Sequence, residues 1–228
     1  GAIRKWISDN HKTFAPIVQP APATMTKAIV PYGDETHFMT VASAEQRAKE
    51  ATEWWNNFCA ENNIELGIGS WGEKRTVYTD TAFESRFIDG LRRIHHLGVD
   101  LFMPAGTPLY TPLDATVKSV EVEREPLGYG GLVTLLHSPA GCPPFVTLWG
   151  HMAQEALGRL KAGQKLKAGD LVGYMGDIHE NGGWTPHLHF GMTTDLSLTA
   201  TEVLGVGETA YLDVWTDLFP DVAELAGI

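Results

Sequence analysis

From Arg93 to Met192 the chain alternates short apolar runs with glycine- and proline-bearing breaks, and this cadence restricts the fold more than any other feature. The runs are Val99 to Phe102, Ala115 to Glu123, Leu132 to His137, Phe145 to Trp149, Leu171 to Met175 and His187 to Met192. Breaks fall at Pro104-Ala105-Gly106, Gly128 to Gly131, Ala162-Gly163, Ala168-Gly169 and Asn181-Gly182-Gly183. Short strands punctuated so regularly argue a sandwich or barrel-like β core.

The flanks read differently. The first forty residues look irregular, with Phe14 to Pro22 held extended by its prolines. A helix is expected to start at Ser43, with Gln46 completing a capping box. Its apolar stripe is Ala44, Ala48, Ala51, Trp55 and Phe58, and Asn62-Asn63 ends it. After Tyr211, Leu212, Trp215 and Leu218 recur at helical spacing. The expected organisation is an accessory region over 1–90 with one amphipathic helix, a β core over 91–195, and a C-terminal extension over 196–228 that packs on it.

Composition excludes several classes. A formal net charge of -11 argues against a nucleic-acid partner, because phosphate binding needs a basic footprint. No apolar run is long enough to span a bilayer, and Gly1 to Trp6 is not followed by the apolar stretch of a secretory signal. Cys59 and Cys142 stand far apart, so neither a disulfide framework nor a four-thiolate zinc site is expected.

Histidines carry the chemistry. They sit in His96-Leu97-Gly98-Val99-Asp100, in Trp149-Gly150-His151 and in His187-Leu188-His189-Phe190. In a strand, residues i and i+2 share a face, so His187 and His189 point into one cleft while Leu188 and Phe190 pack behind. His96 and Asp100 would lie about 13 Å apart on an extended chain; a bend at Gly98 is expected to bring them together. A hydrolytic zinc site needs three protein ligands and one open position. His96, Asp100 and one histidine of the His187/His189 pair supply them, which leaves the other pair member and His151 for proton transfer. Imidazole suits that task near neutral pH.

Rival motifs fail. His179-Glu180 cannot open a zinc-binding helix, because Asn181-Gly182-Gly183 follows. Gly67-Ile68-Gly69-Ser70-Trp71-Gly72 matches a dinucleotide fingerprint without its strand-and-helix context and reads as a loop. No G-x-S-x-G elbow occurs. Asp177 and His179, just upstream of the histidine pair, are weighed as cleft-lining residues. Asn10, His11, Asp34 and His37 are weighed as self-blocking ligands from the accessory region.

At this point the stretch from Arg93 to Met192 resembles the lysostaphin-type zinc metallopeptidases, many of them peptidoglycan endopeptidases. The match runs through His96 to Asp100, Pro104 to Tyr110, Gly128-Tyr129-Gly130, Thr147 to His151, Gly163 to Gly173 and Pro186 to Phe190. The resemblance implies an antiparallel β core of the duplicated hybrid motif type, barrel-sandwich-like. It also implies one zinc held by His96, Asp100 and His189, catalytic roles for His151 and His187, and a cleft bordered by Tyr129. Departures at Trp149 to Met152 and Glu180 to Trp184, with Gly72 to Arg75 and Val77-Tyr78, are similar to the peptidase-like domain of phosphotransferase and class III aminotransferase fusion proteins.

The reading is a zinc endopeptidase acting on a peptide substrate, with Gly- or Ala-rich or cell-wall-type peptides favoured. Trp149 and Trp184, beside the histidines, are expected to narrow the cleft around small side chains. The alternatives are a silent zinc-binding or regulatory module, a domain acting on an intracellular substrate that is not cell wall, and a histidine phosphocarrier, against which Asp100 speaks.

Overall fold

The computed structural model describes residues 1–30, 44–75, 78 and 80–228, apart from the side chains of residues 44–48 and 156. Among these, the strands are β1 (Lys27–Ile29), β2 (Leu66–Gly69), β3 (Arg93–His96), β4 (Val99–Phe102), β5 (Pro108–Tyr110) and β6 (Ala115–Glu123). They continue as β7 (Gly130–His137), β8 (Phe145–Met152), β9 (Lys165–Leu166), β10 (Leu171–Tyr174), β11 (Leu188–Thr193) and β12 (Val206–Glu208). The helices are α1 (Ala2–Asn10), α2 (Ala44–Asn62), α3 (Gln154–Leu157), α4 (Leu212–Leu218) and α5 (Ala223–Ala226).

One large sheet runs in the order β1-β2-β4-β11-β8-β7-β6-β9, and two ribbons pair β10 with β5 and β12 with β3. All neighbours are antiparallel except β1 with β2. The fold is mainly antiparallel β with a helix in its N-terminal region, as the cadence of the sequence predicts.

Packing explains which strands lie centrally. Every residue of β4, β8 and β11 is buried. On one face Val99, Leu101, Leu188, Phe190 and Met192 enter the largest apolar cluster, which also takes Ile3, Ile7, Ile17, Val18 and Leu225. Each buried Leu or Phe contributes about 1.5–3 kcal/mol, so this face fixes the strands and their register. The alternate positions, Asp100 and His189 among them, are thereby held on the opposite face. A second cluster of Leu97, Leu132, Leu148, Val203, Trp215 and Phe219 brings in α4. On α2, Trp55 meets Phe102 edge-on, with ring centroids 6.1 Å apart.

Two sequence expectations need correction. The N-terminus is not irregular: residues 2–10 form α1, because Ile3 and Ile7 give one short apolar stripe that buries against the core. Nor is Gly67 to Gly72 wholly a loop. Its first half belongs to β2, where Gly67 lets the Trp55 ring and Phe102 press onto bare backbone. The α2 helix ends where expected, with Asn63 in the left-handed region at φ 54°. Ser43 lies outside the described residues, as do the Gln46 side chain, Asp34, His37 and Val77.

Candidate active site

Strand pairing assembles the centre. In the ladder of β11 with β4, His189 stands directly opposite Asp100. On the other side of β11 it faces Gly150 of β8. His96 ends β3, and the chain turns through Leu97-Gly98 into β4, which closes the gap between His96 and Asp100. Gly98 contributes space more than a bend. A Cβ there would lie 2.6 Å from His189 Cε1 and 2.8 Å from the Phe190 carbonyl oxygen.

Three ligand-type atoms converge. His96 Nε2, Asp100 Oδ1 and His189 Nδ1 form a triangle whose edges are each 3.1 Å. His96 Nδ1 lies 2.9 Å from the Ser70 carbonyl oxygen and 3.1 Å from Arg75 Nη2, which turns Nε2 toward Asp100 Oδ1. Burial would raise the Asp100 carboxyl, but the charges of His96, Arg75 and His187 outweigh it and hold the group well below the usual carboxylate range. Two imidazole nitrogens and a carboxylate oxygen therefore converge in a buried space, a donor set that suits a cation. Tetrahedral bonds of about 2.0–2.1 Å would separate ligand atoms by about 3.3 Å, so the triangle fits one metal ion of zinc type.

Two more imidazoles flank the triangle. His151 Nδ1 donates to the Asn181 carbonyl at 2.8 Å, and His187 Nδ1 donates to the Thr185 carbonyl at 2.7 Å. Their Nε2 atoms are left as bases, and that of His187 lies 3.8 Å from Asp100 Oδ1. Burial, then the neighbouring His187 and His189, pushes His151 well below the usual histidine range; burial also lowers His187 and His189. The two flanking rings are 4.3 Å apart.

His151 reaches this position through a bulge. The register of β7 with β8 shifts between Gly131 and Val133, and His151 itself has φ 63°. In a regular strand Trp149 and His151 would share a face. The bulge separates them, so Trp149 is fully buried, packs on Phe190 with centroids 4.8 Å apart, and donates its indole N–H to Thr147. The expectation that Trp149 borders the substrate is thereby corrected.

A cleft of about 280 Å³ opens over the centre, lined by Tyr78, Phe83, Arg86, Arg93, Glu123, Tyr129 and Trp184 together with the histidines. Trp184 stands edge-on to both Tyr78 and Phe83 and donates its indole N–H to the Gly128 carbonyl. Tyr129 lends its ring, 5.5 Å from that of His189, while its hydroxyl donates to the Val203 carbonyl. Asp177 and His179 remain outside the cleft. Asn10 and His11 are tied to the backbone of α1 at Trp6 and Ser8. Ser70, Arg75, Tyr78 and Phe83 belong to the site although sequence spacing does not single them out; Gly69, opposite Asp100 in the β2 ladder, is the one local sign of the close approach.

Residues 94–200 match the model of peptidase family M23. That stretch, just under half of the chain, is similar to the peptidase family M23 domain. An uncharacterized metalloprotease of Haemophilus influenzae is 33% identical over 95 residues, which are 42% of this chain and 18% of that protein. The chain thus spans less than a fifth of the length of that curated relative. Among solved structures, a zinc containing peptidase from Vibrio cholerae is 24% identical, covering 55% of this chain and 32% of its own, with a TM-score of 0.37. The catalytic domain of lysostaphin from Staphylococcus simulans is 20% identical, covering 68% of this chain and 94% of its own, with a TM-score of 0.39. All the ligand-type atoms of the triangle, and both flanking histidines, fall within the matched residues 94–200.

Proposed function

We propose that the chain is a zinc-dependent endopeptidase in which His96, Asp100 and His189 hold one ion and His151 and His187 move protons. The observation that carries this reading is the buried 3.1 Å triangle of His96 Nε2, Asp100 Oδ1 and His189 Nδ1. Zinc, when bound, supplies a Lewis acid that acidifies water and polarises a carbonyl. The protein residues do the rest. His151 and His187, neutral and fixed by their carbonyl partners, each present Nε2 to the cleft, one to accept a proton from the attacking water and the other, once protonated, to release one to the departing amine. Buried walls around Asp100 and the histidines exclude bulk water from that transfer.

The cleft favours an extended peptide with small side chains, because Tyr129 and Trp184 stand over the histidines and leave room for backbone more than for bulk. Gly- and Ala-rich or cell-wall-type peptides are the proposed substrates. The organisation proposed is an M23 core over 91–195 with an accessory region before it and an extension after it.

A panel of purified muropeptides, oligoglycine and unstructured casein, followed by mass spectrometry, tests the substrate. Cleavage of casein with none of the small-residue peptides refutes it, and cleavage of nothing returns weight to a silent zinc module. His151→Ala and His187→Ala should keep one zinc per chain and lose about 10²–10⁴-fold in turnover. His96→Ala and Asp100→Ala should lose the metal itself; full zinc occupancy in the double variant sinks the ligand assignment.

A further inference from the structure

Arg75 is the buried cation of the site, and the reaction outlined above gives it no part. It is 3% exposed, and each nitrogen of its guanidinium is engaged. Nε donates to Glu73 Oε1 at 2.6 Å, Nη1 donates to the Tyr78 hydroxyl oxygen at 2.6 Å, and Nη2 lies 2.7 Å from Asp100 Oδ2 and 3.1 Å from His96 Nδ1. Such a planar fork has one orientation when all its nitrogens are held.

We propose that Arg75 is a positioning residue that restricts Asp100 to a single metal-facing oxygen, and so keeps a position of the ion open for substrate. The proposal rests on the metal reading above. A carboxylate can offer a metal one oxygen or two. Here Oδ1 completes the triangle, while Oδ2 is turned onto the guanidinium as an ion pair and receives no aligned hydrogen bond from any described residue. Without the cation, a fully buried Oδ2 would have no compensating charge, and its nearest compensation would be the ion itself. Asp100 would then chelate, and the open position needed for hydrolysis would be taken.

The backbone is shaped for this contact. Gly69 stands opposite Asp100 in the ladder of β2 with β4, and a Cβ at Gly69 would lie 2.5 Å from Arg75 Nη2 and 3.1 Å from Asp100 Oδ2. A residue with a side chain at 69 would push the fork away. Glu73 and Tyr78 anchor the other two arms, and both precede the matched residues 94–200. The segment upstream of the matched stretch thus helps to set the coordination chemistry within it.

Cobalt(II) in place of zinc reads the coordination number directly, because four-coordinate cobalt absorbs visible light several-fold more strongly than five- or six-coordinate cobalt. The full chain loaded with cobalt should show the strong band, and Arg75→Met, folded by its melting curve, should lose most of it. Arg75→Lys keeps the charge but cannot hold Glu73, Tyr78 and Asp100 together; it should also lose intensity, and it decides the matter if Arg75→Met does not fold. A native-strength band in folded Arg75→Met, or in Arg75→Lys, overturns the positioning role alone. A native chain that takes up neither zinc nor cobalt overturns the metal reading and this role with it.

Discussion

Substituting Gly98 by alanine adds one methyl group at the point where the site has least room. The new Cβ would stand 2.6 Å from His189 Cε1, 2.7 Å from His189 Nε2 and 2.8 Å from the Phe190 carbonyl oxygen. Carbon contacts settle near 3.5–4.0 Å, so the imidazole must retreat by about 0.8 Å or more. The carbonyl belongs to the central strand β11 and cannot yield without disturbing its pairing with β4 and β8. Metal–ligand bonds tolerate about ±0.2 Å, so His189 Nδ1 leaves the triangle. Zinc affinity should fall at least about 10–100-fold, the range seen when the groups that orient a ligand are lost. Overpacking should also take about 1–3 kcal/mol from the metal-free protein. Competition against a chromophoric chelator measures the first effect and urea unfolding of the metal-free protein the second. Gly158→Ala, where a Cβ meets nothing within 4 Å, is the control. Zinc affinity in Gly98→Ala within about twofold of the native chain would refute the reasoning, since neighbours would then have absorbed the methyl at no cost to the triangle.

Trp149→Ala should remove about 3–5 kcal/mol of stability in urea unfolding, while Trp184→Ala should chiefly raise KM for a peptide substrate. The reverse pattern would show that the bulge has been misread. His137 is buried between the Asp114 carbonyl and Thr147, and burial lowers its pKa to about 4 from 6.5. The native state therefore refuses a proton that the unfolded chain accepts. This contribution is complete above about pH 6.5 and is lost as pH falls toward about 4, by up to about 3 kcal/mol. His137→Gln should flatten the difference in urea midpoints across that window, and an unchanged acid slope in the variant counts against the assignment.

Much of this molecule is legible in its sequence because the signals are local. The alternation in Leu188-His189-Phe190 places the imidazole opposite the apolar cluster, and the same alternation in Val99-Asp100-Leu101 places the carboxylate on the same face. What the sequence conceals is set by register and by partners far along the chain. The left-handed His151 cannot be read from Trp149-Gly150-His151, since a regular strand would carry both aromatic rings on one side. Arg75 lies 25 residues before Asp100, and pairing of β2 with β4 and of Lys74 with His95 brings them together. The α1 helix leaves little trace in the sequence because its buried stripe is just Ile3 and Ile7, with no capping side chain at Gly1.

The position of β11 between β4 and β8 has a consequence for the order in which the chain folds. The hairpins from β6 through β8 close contacts between near neighbours in sequence, so they can form early. His96 and Asp100 are likewise close in sequence and supply two of the three ligand-type groups. His189, 93 residues after His96, joins them only when β11 pairs with β4 and β8. Such non-local pairing is slow, because chain entropy is lost before the contacts are gained. High-affinity metal capture should therefore be among the last events of folding, and its rate in a stopped-flow refolding experiment should report completion of the sheet.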